Sequence, residues 1–222
     1  MRTAVSAMLR HRLAVAVGTV VVALAAFGLW TLPSISPSAR GGDGPGPLTI
    51  KAGNTELVFP APPVSASWSA TAGGLLLCAP GSEVAITKVA PLHGSNAETF
   101  DAYVRSFTIR SHADPVAEPV IGGYGTPPRI GGRGDAHQDR LAGHLQTAAG
   151  ATGLRPPRCE DSTSAPGEAA VELMVGLTAG RQGAAFDGFT VDYDVAGHHY
   201  RTRVNLRVTL CGTRVTEPDC PR

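Results

Sequence analysis

The apolar run from Leu13 to Leu32 constrains this 222-residue chain more than any other stretch of its sequence. The run, LAVAVGTVVVALAAFGLWTL, contains no charged residue, no side-chain amide and no proline. At a rise of 1.5 Å per residue, about twenty helical residues span about 30 Å, which matches the hydrocarbon thickness of a bilayer. The sequence therefore predicts a single transmembrane helix over residues 13–32.

The charges that flank the run predict its orientation in the membrane. Three arginines lie within residues 1–12, whereas the first charge after the run is Arg40. The positive-inside rule makes residues 1–12 a cytoplasmic leader and places the C-terminal domain outside the cell, at the cell membrane. A cleaved signal peptide is the alternative, although its apolar region is usually only about 7 to 15 residues long. Both interpretations deliver the rest of the chain to the same side.

Beyond the span, composition separates a tether from a domain. Residues 33–47 (PSISPSARGGDGPGP) contain little that a core could bury, so they predict a flexible linker. Residues 48–222 are long enough for one extracytoplasmic domain with a full core. The chain carries 19 basic and 18 acidic residues without a block of either sign, which gives no reason to expect a nucleic-acid partner.

Four cysteines, Cys78, Cys159, Cys211 and Cys220, lie in the outer part of the chain. An even number of cysteines in an oxidising compartment predicts two disulfides, and no pair has the short spacing of a structural zinc site. Cys78 and Cys211 both end apolar runs, while Cys159 and Cys220 both lie in polar segments next to proline. Matching like contexts predicts the pairs Cys78–Cys211 and Cys159–Cys220.

Short apolar segments bounded by glycine and proline predict β-strands throughout the domain. The predicted strands cover residues 48–51, 56–59, 75–78, 84–89, 102–110, 171–175, 189–195 and 200–210. A capping pair at Ser95 and Glu98 leaves open one helical turn before the fifth strand. A second capping pair, Asp135 with Gln138, precedes apolar residues at helical spacing and predicts one short helix before Gly150.

The last two strands form a predicted hairpin around Ala196–Gly197, with one apolar and one polar face. A two-residue turn places Tyr193 opposite Tyr200 and Asp192 opposite Arg201, which keeps the two faces separate, and a four-residue loop would keep the same pairs. The sequence therefore predicts the register of this hairpin as well as its existence.

The expected fold is mainly β: an immunoglobulin-like β-sandwich ectodomain with one short helix, preceded by a single transmembrane helix. Three segments carry a resemblance: the Leu-Cys strand end at 77–78, EVAITKV at 83–89 and GFTVDYDVAGHHYRTRVNLRVTLC at 188–211. They resemble uncharacterised single-pass, membrane-anchored extracytoplasmic proteins of high-GC Gram-positive bacteria. The resemblance implies the location of the domain and no activity.

No motif assigns chemistry to the chain, so no catalytic, cofactor-binding or metal-binding residue is predicted. The sequence lacks Gly-x-Ser-x-Gly, His-Glu-x-x-His and the phosphate-binding Gly-x-x-x-x-Gly-Lys pattern. Adjacent His198 and His199 point to opposite faces of a strand and cannot easily chelate one ion together. The tripeptide at 133–135, Arg-Gly-Asp, is better explained by a helix cap at Asp135. The basic row Arg201, Arg203 and Arg207 is interpreted as a solvated strand face rather than as a site for an anionic polymer.

Three functional hypotheses remain at this point. The first is a non-catalytic, membrane-anchored extracytoplasmic module that contacts a protein or a cell-wall partner and is held at the membrane by Leu13–Leu32. The second is a small-molecule or metal-ion binding protein that uses the Gly- and Pro-rich connection 111–134 together with His137. The third is an enzyme with a dispersed active site.

Overall fold

The computed structural model describes residues 46–62, 66–110, 115–132, 139–161, 165–215 and Cys220. The predicted transmembrane run Leu13–Leu32 lies outside these residues. Within them, none of the helical structure is long and apolar enough to cross a bilayer. The described helical structure is a single 3-10 turn, Pro115–Ala117, and the rest of the regular structure is β. The expectation of a mainly β fold is confirmed.

Thirteen strands are present in the described residues. They are β1 Thr49–Ala52, β2 Glu56–Phe59, β3 Ser67–Cys78, β4 Val84–Pro91, β5 Thr99–Thr108, β6 Gly122–Tyr124, β7 Arg129–Ile130, β8 Asp139–Arg140, β9 His144–Thr147, β10 Ala151–Leu154, β11 Ala169–Gly180, β12 Ala184–Val195 and β13 His198–Leu210. All eight strands predicted from the sequence overlap one of these. No helical turn precedes β5, because Ser95 forms a β-bridge with Ala185.

Most strands belong to two sheets, consistent with a β-sandwich. Sheet A has the order β1-β3-β11-β5-β9, with β6 also beside β3, and sheet B has the order β10-β4-β12-β13-β2. The pairs within them are antiparallel except for β2, which runs parallel to β13. The strands at the sheet edges come in pairs that are consecutive in the chain. β1 of sheet A and β2 of sheet B form one pair, and β9 of sheet A and β10 of sheet B form the other. These edge strands have only four residues each, which limits pairing with other chains.

The core lies between the sheets and follows from alternation along the longest strands. In β11, Leu173, Val175 and Leu177 are buried in the main apolar cluster, so the residues between them point to the outer face of sheet A. From sheet B, Phe186 enters the same cluster and makes an edge-to-face contact with Phe100, with ring centroids 5.4 Å apart. One apolar face per sheet is therefore enough to build this core.

The predicted hairpin register is confirmed. Tyr193 pairs with Tyr200, and Asp192 pairs with Arg201. The two tyrosine rings stack with centroids 5.5 Å apart on the apolar face. The two-residue turn Ala196–Gly197 has φ values of 50° and 78°, the positive values that a type I′ turn requires. Alanine adopts this turn conformation even though it is a poor residue for it, because the pairing of both long strands fixes the turn.

The predicted short helix before Gly150 is wrong in the described residues. Asp139–Arg140 and His144–Thr147 are strands β8 and β9. The capping residues at 135 and 138 lie outside the described residues. In β9, His144 pairs with Ser106 of β5, so the free edge of β5 satisfies the backbone that a helix would have satisfied internally. Gly143, with φ of 99°, turns the chain into this strand.

All four cysteines form disulfides, but the predicted pairing is wrong. The bonds join Cys78 to Cys159, 81 residues apart, and Cys211 to Cys220, nine residues apart. Similar local context did not identify the partners, because a disulfide requires the two Cα atoms to lie within about 7 Å of each other. Here the Cα–Cα distances are 4.9 and 5.7 Å.

Backbone contacts at the strand ends explain the observed pairing. After β3, the amide of Ala79 donates to the carbonyl of Pro157 at 3.0 Å, which holds the segment that follows β10 against the end of β3. After β13, the amide of Gly212 donates to the carbonyl of Val215 at 2.9 Å, so the chain turns back on itself. One bond therefore connects distant segments, and the other closes a local loop.

Candidate functional site

The outer faces of the two sheets differ, and this difference defines the candidate sites. On sheet A, a segment that we call the strap (residues 115–121) lies over a buried ion pair. On sheet B, strands β4, β12, β13 and β2 present side chains to solvent. We call this surface the charged face; its residues are Glu56, Lys88, Asp187, Asp192, Asp194, His199, Arg201, Arg203 and Arg207.

Cross-strand pairs organise the charged face. Asp192 lies between Lys88 of β4 and Arg201 of β13, which are its direct strand neighbours. Nη2 of Arg201 donates to Oδ2 of Asp192 at 3.0 Å, and Nε of Arg201 donates to Oδ1 at 2.5 Å. These hydrogen bonds from Arg201 lower the pKa of the Asp192 carboxyl, against the effect of its partial burial.

Two more acidic residues are paired across the hairpin. Nδ1 of His199 lies 2.8 Å from Oδ1 of Asp194. Nε of Arg207 donates to Oδ1 of Asp187 at 2.9 Å, and Nη1 of Arg207 lies 3.9 Å from Oε1 of Glu56 on β2. The side chains of these pairs are about half exposed, so the pairs help to fix strand register and add little stability.

Arg203 differs from its neighbours on the charged face. Its Nε donates to Oδ1 of Asn205 at 3.0 Å. Among the described residues it forms no ion pair, whereas Arg201 and Arg207 on either side each face an aspartate. The guanidinium of Arg203 is thus the one on this face whose charge is not matched by a carboxylate within the described part of the domain.

Under the strap, Arg105 of β5 and Glu172 of β11 form a buried ion pair. The two residues are direct strand partners, Nη2 lies 2.7 Å from Oε2, and both side chains have zero exposed area. The guanidinium carbon lies 3.8 Å from the ring centre of Phe107. Nε of Arg105 is buried without a hydrogen-bond partner among the described residues.

The remaining polar atoms of this pair bind backbone. Arg105 donates to the carbonyl of Val116 at 3.1 Å and to the carbonyl of Glu118. Oε1 of Glu172 accepts from the amide of Val120 at 2.7 Å and from the amide of Gly74 at 2.8 Å. The ion pair therefore satisfies backbone groups of the strap on one side and of β3 on the other.

Burial dominates the titration of the pair. It raises the pKa of the Glu172 carboxyl, an effect that Arg105 and the amides of Gly74 and Val120 oppose. Burial also lowers the pKa of the Arg105 guanidinium, which Glu172 opposes. Such shifts are common at active sites, but they also occur in structural ion pairs. In the structure, both side chains bind the protein's own backbone and contact no solvent.

The second sequence hypothesis placed a ligand at the connection 111–134. Its described part, 115–132, runs along the sandwich: the strap covers the ion pair, and Tyr124 of β6 packs against Phe59 and Trp68. A nearby depression lined by Leu76, Ile109 and neighbouring residues has room for about one water molecule. His137, which that hypothesis invoked, lies outside the described residues.

The histidines among the described residues are dispersed. His93, His144 and the adjacent His198–His199 occupy different strands and loops. In the part of the chain that the structure describes, no group of three or more His, Cys, Asp or Glu residues is arranged to hold a metal ion. The Arg-Gly-Asp tripeptide at 133–135 lies outside that part.

Sequence reasoning missed the Arg105–Glu172 pair. A signal was present, because each is a lone charge within a strand of mostly apolar residues, in AYVRSFTI and AAVELMVG. Charged residues are rarely fully buried unless they are paired. What could not be read from the sequence was that β5 and β11 are neighbours in the register that places the two side chains opposite each other.

These features define the class of protein: a two-sheet, mainly β domain with two disulfides, a strapped face over a buried ion pair and an open charged face. No protein-family model matches the chain. A search of curated proteins and a search of solved structures also found no match.

Proposed function

We propose that this protein is a single-pass membrane protein whose extracytoplasmic β-sandwich is a non-catalytic interaction module. Two disulfides support an oxidising compartment for the domain, because such bonds rarely persist in the cytosol. The apolar run Leu13–Leu32 supports a membrane anchor, with residues 1–12 in the cytoplasm.

The observation that carries the proposed interaction is the open charged face. Its side chains project from four neighbouring strands of one sheet, so their spacing is fixed before any partner arrives. Four acidic and four basic residues alternate across it, which fits a protein surface of mixed charge better than a polyanionic polymer. Arg203 provides a planar, multidentate donor that has no carboxylate partner within the described part of the domain.

Sheet order supports an immunoglobulin-like type for the sandwich. In that fold, one sheet has the order A-B-E-D and the other C-F-G. Here β1-β3-β11-β5 and β4-β12-β13 have the same order when the strands are named along the chain. The strands β2, β9 and β10 extend the sheets at their edges. Likeness of fold does not assign a partner, so the charged face carries the functional proposal.

The use of the buried charges supports binding over catalysis. A catalytic acid, base or oxyanion donor must reach a substrate. Arg105 and Glu172 instead bind each other and four backbone groups, two of them through each side chain. The hydrogen bonds of these two side chains therefore hold segments of the protein's own backbone together.

A capture experiment with matched charge reversals tests the proposal. The full chain is expressed in its native envelope, cross-linked and purified as the wild type, as Arg203→Glu and as Arg155→Glu. Arg155 is the matched control, because it is 83% exposed and lies beyond the end of β10, off the charged face. We expect a partner that is recovered with the wild type and with Arg155→Glu and is lost with Arg203→Glu. Equal recovery with all three forms would contradict the charged face as the contact.

The membrane anchor and the location of the domain are tested separately. Protease added to intact cells without their wall should digest the outer domain and leave residues 1–12 protected, as detected with a tag at the N-terminus. Protection of the domain, or release of the intact protein into the medium, would contradict the proposed topology.

A further inference from the structure

The strap has unusual attachments for a segment that covers a sheet. Among its described side chains only Ala117 is fully buried, and Ile121 is 63% exposed, the one large apolar side chain of the described residues that is exposed in this way. Apolar burial therefore contributes little to holding the strap in place. Its backbone is held mainly by hydrogen bonds, three of them to charged side chains and three to the backbone amides of Gly73, Arg110 and Ala142.

The three hydrogen bonds to charged side chains converge on Arg105 and Glu172. Arg105 holds the carbonyls of Val116 and Glu118, and Glu172 holds the amide of Val120. Backbone-only contacts add to these, including the amide of Gly73 donating to the carbonyl of Ile121 at 3.1 Å. A single ion pair thus fastens both the middle and the C-terminal part of the strap.

Burial of the two charges reduces the cost of opening the strap. A guanidinium and a carboxylate lose their hydration when they are enclosed, and their mutual attraction only partly offsets that loss. When the strap lifts, water returns to both groups. The sandwich core lies on the other side of sheet A, because Leu173 and Val175 point away from the ion pair. Hydration of the pair therefore does not require the core to open.

The residues on either side of the strap are attached to the sandwich independently of the strap. On its C-terminal side, Gly122–Gly123 precedes Tyr124, which is anchored by a hydrogen bond from its hydroxyl to the carbonyl of Pro60 at 2.8 Å. On its N-terminal side, Ile109 is buried at the end of β5. Both flanking positions stay attached without help from the ion pair.

We infer that residues 115–121 act as a latch, which means that they open as a unit while the sandwich stays folded. The Arg105–Glu172 ion pair holds them in the closed position. The open form presents a guanidinium and a carboxylate on a face of sheet A that is covered in the closed form. This device is independent of the charged face on sheet B, so it does not rest on the proposed function.

Hydrogen exchange of the full chain, with both disulfides intact, tests the latch. The amide of Val120, which Glu172 holds, should exchange through an opening that has a smaller urea dependence than the opening of β12 amides such as Val191. Exchange of both amides with one free energy and one urea dependence would overturn the inference, because the strap would then open only with the whole domain.

A pair of carboxylate variants tests whether the ion pair holds the latch closed. In Glu172→Gln, the exchange rates of the Gly74 and Val120 amides should rise about tenfold or more, because a hydrogen bond to a charged acceptor slows the exchange of an amide by about that factor or more. The matched control is Glu98→Gln, which alters a carboxylate bonded to Ser67 away from the strap and should leave those rates within about twofold. A Glu172→Gln effect that is equal at β12 amides would contradict the role of the pair. The wild-type measurement decides the question if that variant does not fold.

Discussion

Removing each disulfide in turn should cost very different amounts of stability. The variants are Cys78→Ala with Cys159→Ala, and Cys211→Ala with Cys220→Ala. In the chain-entropy relation, closing the 81-residue separation is worth about 4.5 kcal/mol at 25 °C, and closing the nine-residue separation about 2.6 kcal/mol. The first pair should therefore contribute about 2 kcal/mol more to the free energy of unfolding than the second.

Burial increases the expected difference only slightly. Cys78 has no exposed area and Cys211 is 4% exposed, so each replacement by alanine removes a buried sulfur atom and leaves a small cavity. Because this term is similar for both bonds, the difference between the variants reports mainly the length of chain that each bond restrains in the unfolded state.

Equilibrium urea unfolding of the full chain, followed by far-UV circular dichroism and tryptophan fluorescence, measures both variants against the wild type. The reasoning is refuted if loss of the bond between Cys211 and Cys220 costs as much as, or more than, loss of the other. The single variant Cys78→Ala adds a direct check of the pairing. Its free thiol should map to Cys159, whereas pairing by sequence context would have left Cys211 free.

Three further predictions concern single side chains, each checked by urea unfolding. Gly73→Ala places a Cβ 2.2 Å from the carbonyl oxygen of Val120 and should destabilise by about 1 to 3 kcal/mol; an unchanged midpoint would show that the strap simply moves aside. Ala196→Gly removes the strain of a positive φ of 50° and should stabilise by up to about 1 kcal/mol; a lower midpoint contradicts this. Asp192→Asn should cost below about 1 kcal/mol at pH 7, because Arg201 is half exposed. Since the folded pKa of Asp192 is lowered, that contribution is present above its unfolded pKa of about 4 and is lost as the pH falls further. A difference from the wild type that persists at pH 2 would refute the assignment.

The charged face could be predicted in part and the buried pair could not. Alternation along 189–210 was enough to pair Asp192 with Arg201, because the turn length and the parity of the apolar face fix the register locally. Arg105 and Glu172 are 67 positions apart along the chain, and their contact depends on β5 lying beside β11. No local pattern in either strand contains that information.

The sequence by itself determined eight of the thirteen described strands, the register of the last hairpin and the presence of two disulfides. These properties depend on neighbouring residues: the two-residue period of a strand, the residues at a turn and an even number of cysteines. Only the tertiary structure decided that Cys78 joins Cys159, that His144–Thr147 extends a sheet instead of forming a helix, and that the strap lies over an ion pair. Each of these depends on which distant backbone is close enough to supply a hydrogen bond or a sulfur atom, and that is set by the packing of the two sheets.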